Sequence, residues 1–251
     1  TENLIISACL AKGQTILSNC AIEPEIKDLI NFLKKMGCKI KFIGKRKIKV
    51  IGVKELREVK YKVMFDRIEA GTYMIASYLT GGNIKITNIN PNIIKTEIKI
   101  LKKIGAKIKI KANELTVYGK NQIKNIKLKT SPYPGFPTDL QAQIMVLLCK
   151  SKGQSVINEK IFENRFMHAS ELNRMGAKIK IFGNKALIQG NIKFKSAELM
   201  ATDLRASVSL VLAALTAKGK STINRIYHLD RGYEDLEKKL RKVGADIKRI
   251  Y

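Results

Sequence analysis

Tryptophan is absent from this chain of 251 residues, and histidine, cysteine and proline are scarce. The two histidines, His168 and His228, and four cysteines without a CxxC spacing argue against a zinc site. Cys9 and Cys149 lie in apolar helical runs, so we expect reduced thiols in the core of a cytoplasmic protein. The longest apolar run, residues 208–217, is too short to span a bilayer, so no membrane partner is expected.

Acidic residues are also few, at 21 against 48 basic ones, which gives a net charge of +27. Many lysines alternate with isoleucine, as in residues 39–42 and 107–110, a pattern typical of half-buried strands. A basic nucleic-acid-binding protein is one interpretation of this charge. The lysines are dispersed, aromatic residues make up only 6% of the chain, and no recognition motif is present. We therefore expect no nucleic acid partner.

Glycine spacing indicates a sequence unit that is repeated four times. Each unit has one glycine at the end of an amphipathic run, directly before a strand pattern: Gly37, Gly105, Gly176 and Gly244. A second glycine lies upstream of each, at separations of 24, 23, 23 and 25 residues: Gly13, Gly82, Gly153 and Gly219. We predict that these upstream glycines close earlier helices and that turns at 44–45, 112–113 and 183–184 join strand pairs.

The earlier helices are apolar nearly all round, as in residues 4–11 and 208–215, and are predicted to be buried on all sides. Buried helices with lysine-bearing strands outside them predict an inverted α/β architecture. The fourth unit supplies residues 247–250 as a strand for which the chain shows no partner.

A stiff loop containing three of the five prolines ends in Thr138-Asp139, directly before a helical pattern. Either residue is predicted to be the helix N-cap. Asp66 and Asp203 occupy corresponding places in other units. An ordinary capping role for Asp139 is the simplest interpretation of this loop alone.

Arginines recur at equivalent places in the repeat. Arg165 lies 12 residues after Gly153, and Arg231 lies 12 residues after Gly219. Together with Arg205, Asp139 and Asp203, they are predicted to face one region. Such a region could hold a small polyanion, since arginine binds phosphate and carboxylate in a bidentate manner. Structural salt bridges between neighbouring loops are the alternative.

Four segments resemble the UDP-N-acetylglucosamine enolpyruvyl transferase (UDP-N-acetylglucosamine 1-carboxyvinyltransferase) family: 136–143 (FPTDLQAQ), 163–168 (ENRFMH), 200–207 (MATDLRAS) and 225–234 (RIYHLDRGYE). The resemblance covers the whole chain. It implies the family's inside-out α/β barrel fold, with residues 1–64 as the last unit of one domain and 65–251 as three units of a second domain that lacks one strand.

The resemblance also implies a reaction. The family transfers enolpyruvyl from phosphoenolpyruvate to the 3-hydroxyl of UDP-N-acetylglucosamine and releases phosphate, the first committed step of peptidoglycan synthesis, in the cytoplasm and without a metal or cofactor. The matching positions make Asp139 the candidate base at that hydroxyl and Asp203 a second catalytic carboxylate. The backbone at Ile161 would contact the UDP-sugar. Three guanidinium groups would neutralise phosphoenolpyruvate: Arg165, Arg205 and Arg231.

One departure concerns the family's general-acid cysteine, whose loop would lie upstream of Thr1. None of the four cysteines matches it: Cys9, Cys20, Cys38 and Cys149. We therefore expect the chain to be a fragment that is inactive alone, with the family's N-terminal portion as a partner. A non-catalytic remnant of the transferase is the alternative.

Overall fold

The computed structural model describes residues 1–119 and 122–250, which divide into two compact units. Unit 1 comprises Thr1–Phe65 with Pro132–Pro134, and unit 2 comprises Asp66–Ser131 with Gly135–Tyr251. No helix in the described part of the chain is both long enough and apolar enough to cross a membrane.

Unit 1 contains one antiparallel sheet and two helices. Its elements, in chain order, are α1 (Glu2–Cys9), β1 (Gln14–Ser18), α2 (Pro24–Lys35), β2 (Lys39–Gly44) and β3 (Lys47–Ile51), and the strand order is β1-β3-β2. The core packs the buried face of α1 and α2 against the inner faces of β2 and β3. The segment after β3 is held to α2 because the Tyr61 hydroxyl donates to Asp28 Oδ1 at 2.8 Å.

The prediction that the first helix is buried on all sides is wrong within this unit. Ile5, Ala8 and Cys9 are buried, but Leu4 and Leu10 are 60% and 57% exposed. The single sheet and α2 cover only one side of α1, so its apolar residues on the other side have no neighbour inside unit 1.

Unit 2 begins with a repeat of the same order. It contains α3 (Arg67–Thr80), β4 (Asn83–Ile86), α4 (Lys95–Ile104), β5 (Lys107–Lys111) and β6 (Glu114–Tyr118), with strand order β4-β6-β5. The second repeat comprises β7 (Lys127–Lys129), α5 (Gln141–Cys149), β8 (Gln154–Asn158), α6 (His168–Arg174), β9 (Lys178–Phe182) and β10 (Lys185–Gln189). Its strand order is β7-β8-β10-β9, with β7 and β8 parallel.

The last repeat comprises β11 (Glu198–Met200), α7 (Leu204–Ala214), β12 (Thr222–Asn224), α8 (Tyr227–Asp230) and α9 (Leu236–Lys242). Its parallel sheet contains only β11 and β12 among the described residues. Residues 247–250, predicted as a strand, form none, since a strand needs a partner for its backbone hydrogen bonds.

Three helices form the centre of unit 2, since α5 packs against both α3 and α7. Every residue of α5 is buried, and α7 is buried from Ala206 to Ala213. The strands outside them bury isoleucine and expose lysine, as β5 does with Ile108 buried between exposed Lys107 and Lys109. The predicted inverted α/β architecture is therefore confirmed.

The four glycines at the ends of the amphipathic runs have the backbone conformation typical of a helix end. Gly37, Gly105, Gly176 and Gly244 all have positive φ values. In the second unit of the repeat the helix ends one residue earlier than predicted, because Gly81 rather than Gly82 is the left-handed C-cap of α3. The turns at 112–113 and 183–184 are confirmed, whereas the first lies at 45–46, one residue later than predicted.

Candidate functional site

The proline-rich loop delivers Asp139 to the start of α5. Thr138–Leu140 form a 3₁₀ turn that precedes the helix, and neither Thr138 nor Asp139 caps a helix with its side chain. The predicted capping role is therefore wrong, because Thr138 bonds to Glu159 and Asp139 bonds to two arginines outside its own helix. Leu140 anchors the turn by packing where Gly71 of α3 has no side chain; a Cβ there would lie 2.4 Å from Leu140 Cδ1.

Two arginines bind the Asp139 carboxylate, one at each oxygen. Arg165, in the loop between β8 and α6, donates from Nη2 to Oδ1 at 2.8 Å. Arg205, in the first turn of α7, donates from Nη2 to Oδ2 at 3.0 Å. The side chains of Asp139, Arg165 and Arg205 are 37%, 24% and 17% exposed, so the cluster is reachable from solvent but only partly screened by it.

The surroundings favour the charged form of Arg205. Burial is the largest single effect and lowers the pKa of its guanidinium. The charge and hydrogen bond of Asp139, together with the charges of Tyr233 and Asp66, outweigh it, so the pKa is raised above its ordinary value. The guanidinium carbon of Arg165 lies 4.9 Å from the centre of the Phe162 ring, a cation–π contact that orients the group. Both arginines are therefore held in place and have N–H groups beyond those that Asp139 accepts.

Asp203 is the N-cap of α7. Its Oδ1 accepts from the backbone N–H groups of Arg205 at 2.8 Å and Ala206 at 2.9 Å. Asp66 caps α3 in the same way through Ile68 and Glu69. The prediction that Asp66 and Asp203 open buried helices is confirmed, and the cap fixes the turn from which Arg205 projects.

Arg231 follows α8 and is exposed. Gly232 brings its backbone against the start of α7, since a Cβ there would lie 2.8 Å from Leu204 Cδ2. Arg231 is thus one residue from a segment that packs against Leu204, the neighbour of Arg205. Its backbone N–H donates to the Leu229 carbonyl, whereas its side chain forms no hydrogen bond or ion pair with other described residues. The two equivalent arginines of the repeat differ, because Arg165 is paired and Arg231 is free to bind a ligand.

A buried hydrogen-bond network lies beneath the cluster. The Tyr233 and Thr72 hydroxyls are 2.8 Å apart, and Gln143 Nε2 donates to Thr72 at 3.2 Å and to the Asp139 carbonyl at 3.0 Å. Burial raises the pKa of Tyr233, although the charge of Arg205 acts in the opposite direction. The network joins α3, α5 and the segment after α8, and so supports Asp139 from below.

The chain matches known proteins over its whole length. A family model described as EPSP synthase (3-phosphoshikimate 1-carboxyvinyltransferase) matches residues 1–240. The chain belongs to this family. It is 72% identical over 250 residues to a UDP-N-acetylglucosamine 1-carboxyvinyltransferase of Pelagibacter ubique and 54% identical to one of Geobacter metallireducens. These matches cover 100% of this chain but 60% of each relative.

Solved structures confirm the fold. The enolpyruvyl transferase NikO from Streptomyces tendae superimposes with a TM-score of 0.88 at 27% identity, covering 96% of this chain and 58% of NikO. An EPSP synthase from Acinetobacter baumannii gives a TM-score of 0.75 at 20% identity, covering 98% of this chain and 60% of that protein. The expected enolpyruvyl transferase fold and the resemblance to the UDP-N-acetylglucosamine enzymes are thereby confirmed.

Sequence reasoning missed Glu159, a carboxylate that is only 2% exposed. Its Oε1 accepts from the Thr130 hydroxyl and from Ile161 N–H, both at 2.8 Å, and its Oε2 accepts from the Thr138 hydroxyl at 2.9 Å. Because the Ile161 N–H is used in this way, the carbonyl oxygen is the backbone group of Ile161 that could contact a sugar. A charged residue directly after strand β8 was the available signal.

His168 was also missed, although it lies within one of the segments that carry the resemblance. It is 2% exposed, and its Nε2 has no hydrogen-bond partner among the described residues. Burial lowers the pKa of His168 to about 4, with the charges of Asp203 and Arg165 acting in opposite directions. Burial therefore favours the uncharged imidazole at this position in the segment that follows Arg165.

Proposed function

We propose that this chain contributes to transfer of enolpyruvyl from phosphoenolpyruvate to the 3-hydroxyl of UDP-N-acetylglucosamine, with release of phosphate. The observation that carries the proposal is the pairing of Asp139 with both Arg165 and Arg205. A hydroxyl nucleophile needs a positioned proton acceptor, and an anionic substrate needs fixed cations. The cluster places both kinds of group within one hydrogen bond of each other. The relatives' names support this choice of reaction.

The contacts of the cluster and the resemblance to the transferases support the following roles. Asp139 accepts the proton of the sugar 3-hydroxyl as the hydroxyl oxygen attacks C2 of phosphoenolpyruvate. C3 gains a proton from the general acid. The resulting tetrahedral adduct then loses phosphate and a proton to form the enol ether. Arg165, Arg205 and Arg231 neutralise the carboxylate and phosphate groups, and the Ile161 backbone contacts the sugar nucleotide. Asp203 serves the cluster by holding the turn that presents Arg205.

The ion pairs suggest how the base becomes available. While two guanidinium groups bind its oxygens, each Asp139 oxygen already accepts an N–H hydrogen bond that the sugar hydroxyl must replace. An incoming phosphate or carboxylate competes for the same N–H groups. Phosphoenolpyruvate would therefore draw Arg165 and Arg205 toward itself and release Asp139 for the hydroxyl.

The whole activity requires more than this chain, which spans 60% of the length of its relatives. We propose that unit 1 corresponds to the last repeat of one domain, that unit 2 supplies three repeats of the second, and that the family's N-terminal portion completes the site in the cytoplasm for peptidoglycan synthesis. The four cysteines are all buried, which agrees with a general acid supplied from outside this sequence. The exposed apolar side chains of α1 are one surface that such a portion could cover.

Phosphate release tests the proposal. The chain is assayed alone and together with the segment of the Pelagibacter relative that it does not span, using phosphoenolpyruvate with either UDP-N-acetylglucosamine or 3-phosphoshikimate. We expect release only from the combination and only with the UDP-sugar. Release from the chain alone would contradict the need for a second portion. Release with 3-phosphoshikimate would change the substrate, and none with either acceptor would favour a non-catalytic protein.

A further inference from the structure

Glu159 joins two loops that approach the site from different parts of the chain. Its buried carboxylate accepts hydrogen bonds from Thr130 and Thr138, which lie on either side of the proline-rich loop. It also accepts from the N–H groups of Ile161 at 2.8 Å and Phe162 at 3.3 Å in its own loop. The Thr130 hydroxyl in turn accepts from Lys160 N–H at 2.9 Å.

This connection reaches both ends of the candidate site. Thr138 directly precedes Asp139 in the sequence, and the Asp139 carboxylate is the candidate proton acceptor. Ile161 is the residue whose backbone is expected to contact the sugar nucleotide. Phe162 lies beneath the Arg165 guanidinium. One carboxylate therefore sets the position of the sugar-binding backbone relative to the base and to one of its arginines.

A carboxylate is the side chain that can do this. Burying its charge is costly, and no basic side chain forms an ion pair with Glu159 in the described part of the chain. Four donors on two oxygens compensate instead, which an ionised carboxylate can accept together. Replacing Glu159 alone with an apolar side chain would leave these four donors without their acceptor, which is costly for buried groups.

We propose that Glu159 is a positioning residue that fixes the Ile161 backbone in register with Asp139, and so aligns the sugar hydroxyl with the base. The inference rests on the proposed function. Glu159 itself lies under the loops and acts through Thr138 and Ile161.

Amide hydrogen exchange of the 251-residue chain tests the connection without any substrate. Glu159→Ala should accelerate exchange at Ile161 and Phe162 by about tenfold or more, because hydrogen bonds to a charged group are lost. Glu159→Gln should stay within about threefold of wild type: its oxygen still accepts in its own loop, and the Thr138 hydroxyl can turn to accept from the amide. Glu198→Ala is the matched control, since this strand glutamate is exposed and its side chain bonds only to Asn224 among the described residues.

Kinetics of the combination with the Pelagibacter segment test the consequence. Glu159→Ala should raise KM for the UDP-sugar and lower kcat, each by about tenfold. Thr138→Val removes only the link toward Asp139, so it should lower kcat several-fold with KM nearly unchanged, and Glu159→Gln should restore both parameters.

The outcomes separate cleanly. Unchanged amide exchange in Glu159→Ala, or faster exchange with wild-type KM and kcat, would overturn the positioning role alone. A wild-type combination that releases no phosphate would instead remove the proposed function and this inference with it. The inference is supported by accelerated exchange in Glu159→Ala, together with changes in both KM and kcat for Glu159→Ala and in kcat alone for Thr138→Val.

Discussion

Replacing Asp139 with asparagine should have opposite effects on anion binding and on catalysis. The carboxylate neutralises Arg165 and Arg205 at 2.8 and 3.0 Å, so it competes with any anion for their N–H groups. Asparagine keeps the shape of the side chain and one acceptor oxygen but removes the negative charge. Asp139→Asn should therefore bind phosphoenolpyruvate and inorganic phosphate more tightly than the wild-type chain does.

The size of the gain follows from the contacts. A hydrogen bond to a charged group contributes about 1.5–3 kcal/mol, and two are weakened here. The side chains are 17–37% exposed, so screening reduces this contribution, and an anion must still be desolvated. A net change of about 1.4 kcal/mol corresponds to roughly tenfold tighter binding. In the combination with the Pelagibacter segment, loss of the base should lower kcat by about 10²–10⁴-fold with little change in UDP-sugar binding.

Isothermal titration with phosphoenolpyruvate measures the first effect, and phosphate release measures the second. Titration at two salt concentrations provides an internal check, because partly exposed ion pairs weaken as salt rises. Weaker or unchanged anion binding in Asp139→Asn would refute the competition between Asp139 and the substrate. A turnover rate within a few-fold of wild type would refute Asp139 as the base.

Two further predictions follow from the same geometry. In the combination, Arg231→Lys should lower turnover by about tenfold or more, because lysine keeps the charge but loses the planar fork, whereas Arg174→Lys should change little, since Arg174 is exposed and pairs with Glu171. Burial lowers the pKa of His168 from about 6.5 in the unfolded chain to about 4 in the folded chain. The free energy of unfolding should therefore be greatest above pH 6.5 and fall by roughly 3 kcal/mol as the pH decreases toward 4. Urea unfolding at several pH values should show a shallower pH dependence for His168→Gln, and identical slopes would contradict this assignment.

The fold was predictable from sequence because its signals are local. A left-handed glycine followed by alternating lysine and isoleucine specifies a helix end and a half-buried strand within a few residues, and Gly105 with β5 has this form. The exposure of Leu4 and Leu10 was not predictable in this way. Apolar side chains favour burial, but whether they are buried depends on the neighbouring elements present in the unit.

The candidate site was predictable in its residues but not in its connections. The repeat spacing and the resemblance selected Asp139, Arg165 and Arg205, yet a capping role for Asp139 remained open. Capping is decided by a backbone turn a few residues away, whereas the observed partners lie 26 and 66 residues along the chain. The contact between Thr72 and Tyr233 spans 161 residues and carries no local pattern. Such partners follow only from the packed arrangement of the repeats.

The three carboxylates of the site can be distinguished by what they bind. Asp203 accepts from backbone N–H groups at the start of α7, and these donors cannot move away without unwinding the helix. Glu159 is bound by two hydroxyls and two backbone amides in a buried position. Asp139 alone among the three is bound by guanidinium groups, which can turn toward an incoming anion without any change in the backbone. A base must become free when its substrate arrives, and this requirement selects Asp139.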